Sequence, residues 1–243
     1  MPLYKKQTGE GDPIVLLSGW GFHHRIWDPV VEKLSSGMSC WQIDLPGIGW
    51  SPAWPAYDLD SVIEALVDTL PAHFTLCGWS LGGLIAMAFA AKYPKKITRL
   101  ITVGTNPKFI ATNDWPGIDP EVMMRFYQRL LSAPSKTLRE FVLLQCQGNE
   151  DPRSWFKTLT AQITEAPEPD PNALEFGLKL LQNLDLREQQ KTLAIPQWHV
   201  LGRLDALVPQ KIADFIPHSE VFMRSAHMPF LTELDPFCEG VLR

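Results

Sequence analysis

The chain alternates between two hydrophobic rhythms. Residues 14–18 form a short apolar run ending in Gly19-Trp20-Gly21, the pattern of a buried strand entering a loop. Residues 39–44 form a second such run, closed by Pro46, Gly47 and Gly49. Residues 59–70 carry apolar positions at helical spacing. Residues 74–79 predict a third strand, and the small-residue segment 80–93 that follows at once reads as a helix. Residues 98–103 predict a fourth strand. Short apolar strands alternating with helices imply a parallel sheet with helices on both faces.

From about residue 107 to residue 184 the rhythm changes, and no run reads as a strand. Asp119-Pro120 places an N-cap before a proline at the first helical position, and Asp170-Pro171 repeats that signature. Ser135 is a candidate cap for a helix carrying Leu138, Phe141, Val142 and Gln145, and another helix is expected over 151–165. Strand and helix alternation resumes at 195–201. It continues through a helix after Pro209 and a strand at 220–224, and ends in a short helix from Thr232. The expected organisation is an α/β core made of 1–106 and 185–243, with 107–184 inserted as about four helices that form a lid over a substrate cleft.

A chain of 243 residues suits one such domain. Apolar residues make up 45% and charged residues 20%, a globular composition that argues against disorder. The net charge of −5 does not favour nucleic acid as a partner. Cys40, Cys77, Cys146 and Cys238 are far apart and form no C-x-x-C pair, so neither a zinc site nor a disulfide framework is suggested. There is no H-E-x-x-H and no dinucleotide fingerprint, so no metal or organic cofactor is implied. The first residues hold no apolar stretch long enough for a signal peptide, and no run approaches a membrane span. A cytoplasmic, monomeric protein with no membrane partner is the expectation.

Gly78-Trp79-Ser80-Leu81-Gly82 fits G-x-S-x-G and lies between a predicted strand and a predicted helix, the context that this motif requires. The turn lifts a serine hydroxyl out of the sheet and sets it over a helix N-terminus, where negative charge is favoured. Serine needs a base, and the base needs an orienting carboxylate. Of the six histidines, His227 follows the last predicted strand and is the candidate base. His199 sits within a strand, where a packed core imidazole is expected. His73 and His218 read as turn residues, and His23 and His24 follow the Gly19-Trp20-Gly21 loop ahead of the nucleophile. Asp205, on a loop after strand 195–201, is the candidate acid, ahead of Asp44 and Asp185. The order Ser80, Asp205, His227 is that of the α/β-hydrolase fold. Acyl transfer also needs donors for the oxyanion, and the backbone N–H groups of Leu81 and Trp20 are the candidates.

Several longer motifs narrow this reading. G-W-G at 19–21, D-L-P-G-x-G at 44–49, G-W-S-L-G-G-L at 78–84, D-W-P-G-I at 114–118, F-V-L-L-Q at 141–145, Leu184-Asp185-Leu186-Arg187 and A-H-M-P-F at 226–230 span nearly the whole chain. In these segments the chain resembles the pimeloyl-acyl-carrier-protein methyl ester esterases of biotin synthesis. The resemblance implies hydrolysis of the methyl ester of a pimeloyl chain held on acyl-carrier protein. It places substrate contacts on Trp20, Ser80, Leu81, Phe141, Val142, Leu143, Leu144, Gln145 and His227. It also implies that basic residues of the lid meet the acidic carrier, here Lys136, Arg139, Arg153 and Lys157, with Arg125 and Arg129 nearby. Three features depart from the family pattern: Ser18 replaces a histidine before G-W-G, Glu140 precedes Phe141, and the chain ends about a turn short of a full final helix. The same machinery would equally serve a broader esterase or lactonase on small esters, or a carbon–carbon bond hydrolase. A non-catalytic binding protein on the same fold is the alternative of another class, and intact Ser80, Asp205 and His227 argue against it.

Overall fold

A computed structural model describes residues 2–243. Seven strands form one sheet: β1 (Lys5–Thr8), β2 (Asp12–Leu17), β3 (Met38–Ile43), β4 (Phe74–Trp79), β5 (Ile97–Val103), β6 (Gln197–Gly202) and β7 (Ser219–Phe222). Their spatial order is β1-β3-β2-β4-β5-β6-β7. Every neighbouring pair is parallel except β1 with β3. The central strands are covered on both faces, which is why Ile14 to Leu17 and Leu76 to Cys77 read as unbroken apolar runs. β1 reads Lys-Lys-Gln-Thr and lies at an exposed edge, so it carries no apolar signal and was not expected from sequence.

The helices are α1 (Asp28–Leu34), α2 (Leu59–Thr69), α3 (Leu81–Lys92), α4 (Pro120–Ser132), α5 (Pro134–Cys146), α6 (Pro152–Thr164), α7 (Pro171–Asn183), α8 (Arg187–Thr192), α9 (Pro229–Thr232) and α10 (Leu234–Leu242). α3 is buried around almost its whole circumference, from Leu81 to Ala90. Its Gly and Ala residues let it lie close against the sheet, so it shows no polar stripe. α1 and α8 were not expected; both are short, with too few turns to establish a period. The segment after Pro209 is a 3₁₀ turn, and β7 ends before residue 224. The terminal helix is split at Glu233, whose carboxylate turns back to accept from the Arg224 N–H at 3.0 Å and the Ser225 hydroxyl at 2.6 Å.

Helices α4 to α7 stand between β5 and β6. Asp119, Asp151 and Asp170 cap three of them, each accepting a first-turn N–H. The fourth, α5, starts at Pro134 with Ala133 at the cap position, so Ser135 already lies within its first turn. The root of this block is tied together. The Leu186 N–H donates to the Pro107 carbonyl at 2.9 Å. Trp115 Nε1 donates to Asn106 Oδ1, while Asp185 pairs with Lys108 at 3.3 Å and Arg187 at 2.7 Å. The hydrogen bonds from Arg187 hold the Asp185 carboxyl far below the usual carboxylate range. The D-W-P-G and Leu184–Arg187 motifs therefore meet here, and Asp185 is remote from any role as the acid.

His199 on β6 is the buried core imidazole expected. It bonds Thr102 Oγ1 at 2.7 Å, and burial lowers its pKa from 6.5 to about 4. A histidine kept neutral in the native state loses out when the unfolded chain takes up a proton. The protein is therefore expected to lose stability as pH falls from neutral towards 4, by about 3 kcal/mol from this group. Urea unfolding at pH 7 and 4.5 checks this: His199→Gln should flatten the fall, and equal pH dependence in both proteins would contradict it.

Candidate active site

β4 runs into α3 through a turn too tight for ordinary backbone. Ser80 has φ 54° and ψ −117°, one of only two non-glycine residues with positive φ among the described residues. Such a conformation costs about 1–3 kcal/mol and persists only when its surroundings hold it. Here the Ser80 N–H donates to the Val103 carbonyl at 2.8 Å. The Ser80 carbonyl accepts from the Leu84 N–H at 3.1 Å and the Thr105 hydroxyl at 3.2 Å. Three bonds at roughly 1 kcal/mol each are enough to offset the strain. A Cβ on Gly82 would collide with the Leu17 and Ser18 carbonyls, which explains that glycine of the motif.

His227 and Asp205 come together beside this turn from the ends of β7 and β6. His227 Nδ1 lies 2.7 Å from Asp205 Oδ2, with both side chains buried. Asp205 Oδ1 accepts from the Leu207 and Val208 N–H groups at 2.7 and 3.0 Å, which leaves Oδ2 for the ring. An ionised carboxylate at Nδ1 places the proton there and leaves Nε2 as an acceptor. His227 Nε2 is buried and has no hydrogen-bond partner among the described residues, so the Ser80 hydroxyl is not bonded to it in this state. Such contacts commonly tighten only when substrate is bound.

The Leu81 N–H stands at the first position of α3, and the Trp20 N–H lies in the loop after β2; neither donates a hydrogen bond among the described residues. The loop itself is held. The Ser18 hydroxyl donates to the His23 carbonyl at 3.2 Å, the Phe22 N–H to the Gly19 carbonyl at 3.1 Å, and Trp20 Nε1 to the Leu174 carbonyl of α7 at 2.7 Å. Ser18, in place of histidine, thus still fastens this loop.

Above Ser80 lies a small cavity of about 60 Å³. It is lined by Trp20, Phe109, Ile118, Val122, Met123, Phe126, Phe141, Leu144, Leu178, Leu181 and Leu207 around Ser80. Of the expected segment, Phe141 and Leu144 reach this wall. Val142 faces a separate groove beside Leu138 and Arg139, and Leu143 is 48% exposed. The reason is helical: residues 141, 144 and 145 share one face, and 142 and 143 lie off it. Gln145 is fully buried one turn beyond Phe141, and neither of its amide atoms has a partner among the described residues. Sequence reasoning missed the contributions of Met123, Phe126, Leu178 and Leu181, because periodicity marks an apolar face without saying what it meets.

His23, His24 and Asp44 bring their ligating atoms within 4.8 Å of one another. Their atoms are already engaged. Asp44 accepts from the His24 and Trp50 N–H groups at 2.6 and 2.9 Å and contacts His24 Nδ1 at 3.0 Å. His23 Nε2 meets the Gln162 carbonyl of α6 at 2.8 Å, and burial lowers its pKa. Asp44 is therefore a structural carboxylate that pins the loop over β3.

A strained serine between strand and helix, with an Asp–His pair at the carboxyl end of a parallel sheet, is the arrangement of an α/β hydrolase that uses serine chemistry. A family model described as alpha/beta hydrolase fold matches residues 12–234. The pimeloyl-acyl-carrier-protein methyl ester esterase of Vibrio cholerae is 36% identical over 248 residues, covering 100% of this chain and 97% of that protein. The esterase of that name from Klebsiella pneumoniae is 38% identical over 247 residues, covering 99% and 96%. The chain belongs to this esterase family. Among solved structures, an esterase from Exiguobacterium antarcticum superposes with TM-score 0.87 at 23% identity, covering 99% of this chain and 94% of that one. An enol-lactonase from Burkholderia xenovorans gives 0.83 at 22%, covering 99% and 95%; at such identities the likeness is one of fold.

If Asp205 orients His227, Asp205→Asn should fold normally and lose roughly a thousandfold or more in kcat. Steady-state kinetics with a small ester tests this, and a loss under tenfold would remove Asp205 from the catalytic unit.

Proposed function

We propose that the protein hydrolyses the methyl ester of a pimeloyl chain carried on acyl-carrier protein, in biotin synthesis, with Ser80, His227 and Asp205 as its catalytic unit. The observation that carries the reading is the cavity, whose wall among the described residues is apolar apart from Ser80. Its apolar lining suits a methylene chain. The relatives at 36–38% identity supply the particular ester.

The chemistry follows from the geometry. The Ser80 hydroxyl attacks the ester carbonyl as His227 Nε2 takes its proton, and Asp205 stabilises the resulting imidazolium. The oxyanion is received by the Trp20 and Leu81 N–H groups, the latter at a helix N-terminus. Methanol departs with the proton from His227. Water then attacks the acyl-enzyme by the same route and frees a carboxylate. That carboxylate finds no cation in the cavity wall, and burying it unpaired is costly, so product is driven out.

The block 107–184 acts as the lid. Its outer face offers Lys136 and Arg139 on α5 and Arg153 and Lys157 on the adjoining α6. All four are exposed, and none pairs with a carboxylate among the described residues. Arg129 and Arg125, by contrast, are engaged by Glu140 at 3.1 Å and Glu121 at 3.5 Å. The unpaired four form the docking surface for the acidic carrier. No helix among the described residues is long and apolar enough to cross a membrane.

Purified protein should release methanol from pimeloyl-carrier methyl ester, and Ser80→Ala should not. Faster turnover of lactones, short acyl esters or ring-cleavage products would overturn the substrate assignment. Arg139→Glu combined with Lys157→Glu should raise KM for the carrier-bound ester by roughly tenfold at low salt, with less effect at high salt. KM for a free methyl ester should not move; equal effects on both substrates would contradict the docking surface.

A further inference from the structure

Trp79 precedes the nucleophile and is completely buried, yet its side chain does not reach the cavity. Its indole Nε1 donates to the backbone carbonyl of His227 at 2.8 Å. No other group donates to that carbonyl among the described residues. The indole ring lies 5.6 Å from the His227 ring and 5.4 Å from Phe230, centre to centre. Its other neighbour is the oxyanion loop. Phe22 meets it edge-on at 4.9 Å, and Gly19 lies so close that a Cβ there would come within 2.9 Å of the indole.

One rigid side chain therefore touches three separate stretches of chain. Its backbone leads directly into Ser80, its indole N–H bonds the backbone of the base, and its ring packs on the loop that carries the Trp20 N–H. Asp205 fixes the His227 ring at Nδ1, but a ring held at one atom can still shift with its backbone. The indole bond removes that freedom at the carbonyl, so the ring and its backbone are constrained independently. Catalytic groups misplaced by as little as 1 Å can lose about a hundredfold in rate.

We propose that Trp79 is a positioning residue for the reaction: its indole N–H holds the His227 backbone, and its ring spaces the oxyanion loop from the base. The proposal rests on the reading of Ser80, Asp205 and His227 as the catalytic unit. It goes beyond that reading by assigning a role to a residue that touches neither substrate nor reacting atoms. Trp79 acts through the transition-state geometry, so its loss alters kcat and leaves substrate binding alone.

The test replaces Trp79 with benzothienylalanine, which keeps the ring shape and puts sulfur where the N–H was. Trp79→Phe serves as a second variant that also loosens the packing. Each is assayed on a small methyl ester beside wild type and Ser80→Ala, with thermal unfolding measured in parallel. The isostere should unfold within a few degrees of wild type and keep its KM. Its kcat should fall about tenfold, the scale of one lost hydrogen bond, and fluorophosphonate labelling should slow in proportion. Trp79→Phe should lose more. An isostere with wild-type kcat would overturn the proposal, as would a rise in KM that accounts for the whole loss. Should wild type turn over the ester no faster than Ser80→Ala, the catalytic unit itself fails, and that outcome is distinct from the other two.

Discussion

The turn at Ser80 constrains everything around it. Its positive φ has to be held from both sides, by the β5 carbonyl of Val103 and by the first turn of α3. For α3 to begin directly beneath the serine, its first residues must lie against the end of β2, which leaves room only for glycine at position 82. The helix consequently sinks into the sheet and is apolar on every side. The same placement leaves the Leu81 N–H unpaired at a helix N-terminus, pointing the way for developing negative charge. Strain, burial of α3 and an anion-receptive site are thus consequences of a single tight turn.

The helical block is fastened to this machinery at points that matter for chemistry. Trp20 gives its indole N–H to the Leu174 carbonyl of α7, and its ring packs edge-on against Phe141 of α5 at 5.0 Å. His23 reaches the Gln162 carbonyl of α6, and Arg25 pairs with Glu165 at the end of that helix. The Asp170 N–H donates to the Gly47 carbonyl at 2.8 Å. The segment carrying the Trp20 N–H is therefore also the one that grips the block. Displacement of α6 or α7 would be felt first at the loop after β2.

Much of this was legible in the residue order. The strands that hold the site are buried on both faces, so their apolar runs stand out, and G-x-S-x-G marks its own turn. His227 and Asp205 could be selected because each follows a recognisable strand. β1 escaped notice since an exposed edge needs no apolar residues, and α1 and α8 are too short to show a period. The cavity wall was only partly foreseen. Phe141 and Leu144 were named along with Val142 and Leu143, which share their sequence neighbourhood but face elsewhere. Met123 and Phe126 belong to an amphipathic helix like many others; only packing shows that their face meets Ser80. Trp79 lies within the G-x-S-x-G motif, while its bond to residue 227 joins positions 148 apart and leaves no local trace.

The central claim is that the acyl chain passes covalently through Ser80 within an apolar cavity. It is tested most directly by quenching the enzyme during turnover of pimeloyl-carrier methyl ester and mapping the adduct by peptide mass spectrometry. The account predicts a pimeloyl group, free of its methanol and still joined to its carrier arm, on the peptide containing Ser80, and a longer-lived adduct when release by His227 is slowed. An adduct on any other residue would contradict it, as would undiminished hydrolysis by Ser80→Ala.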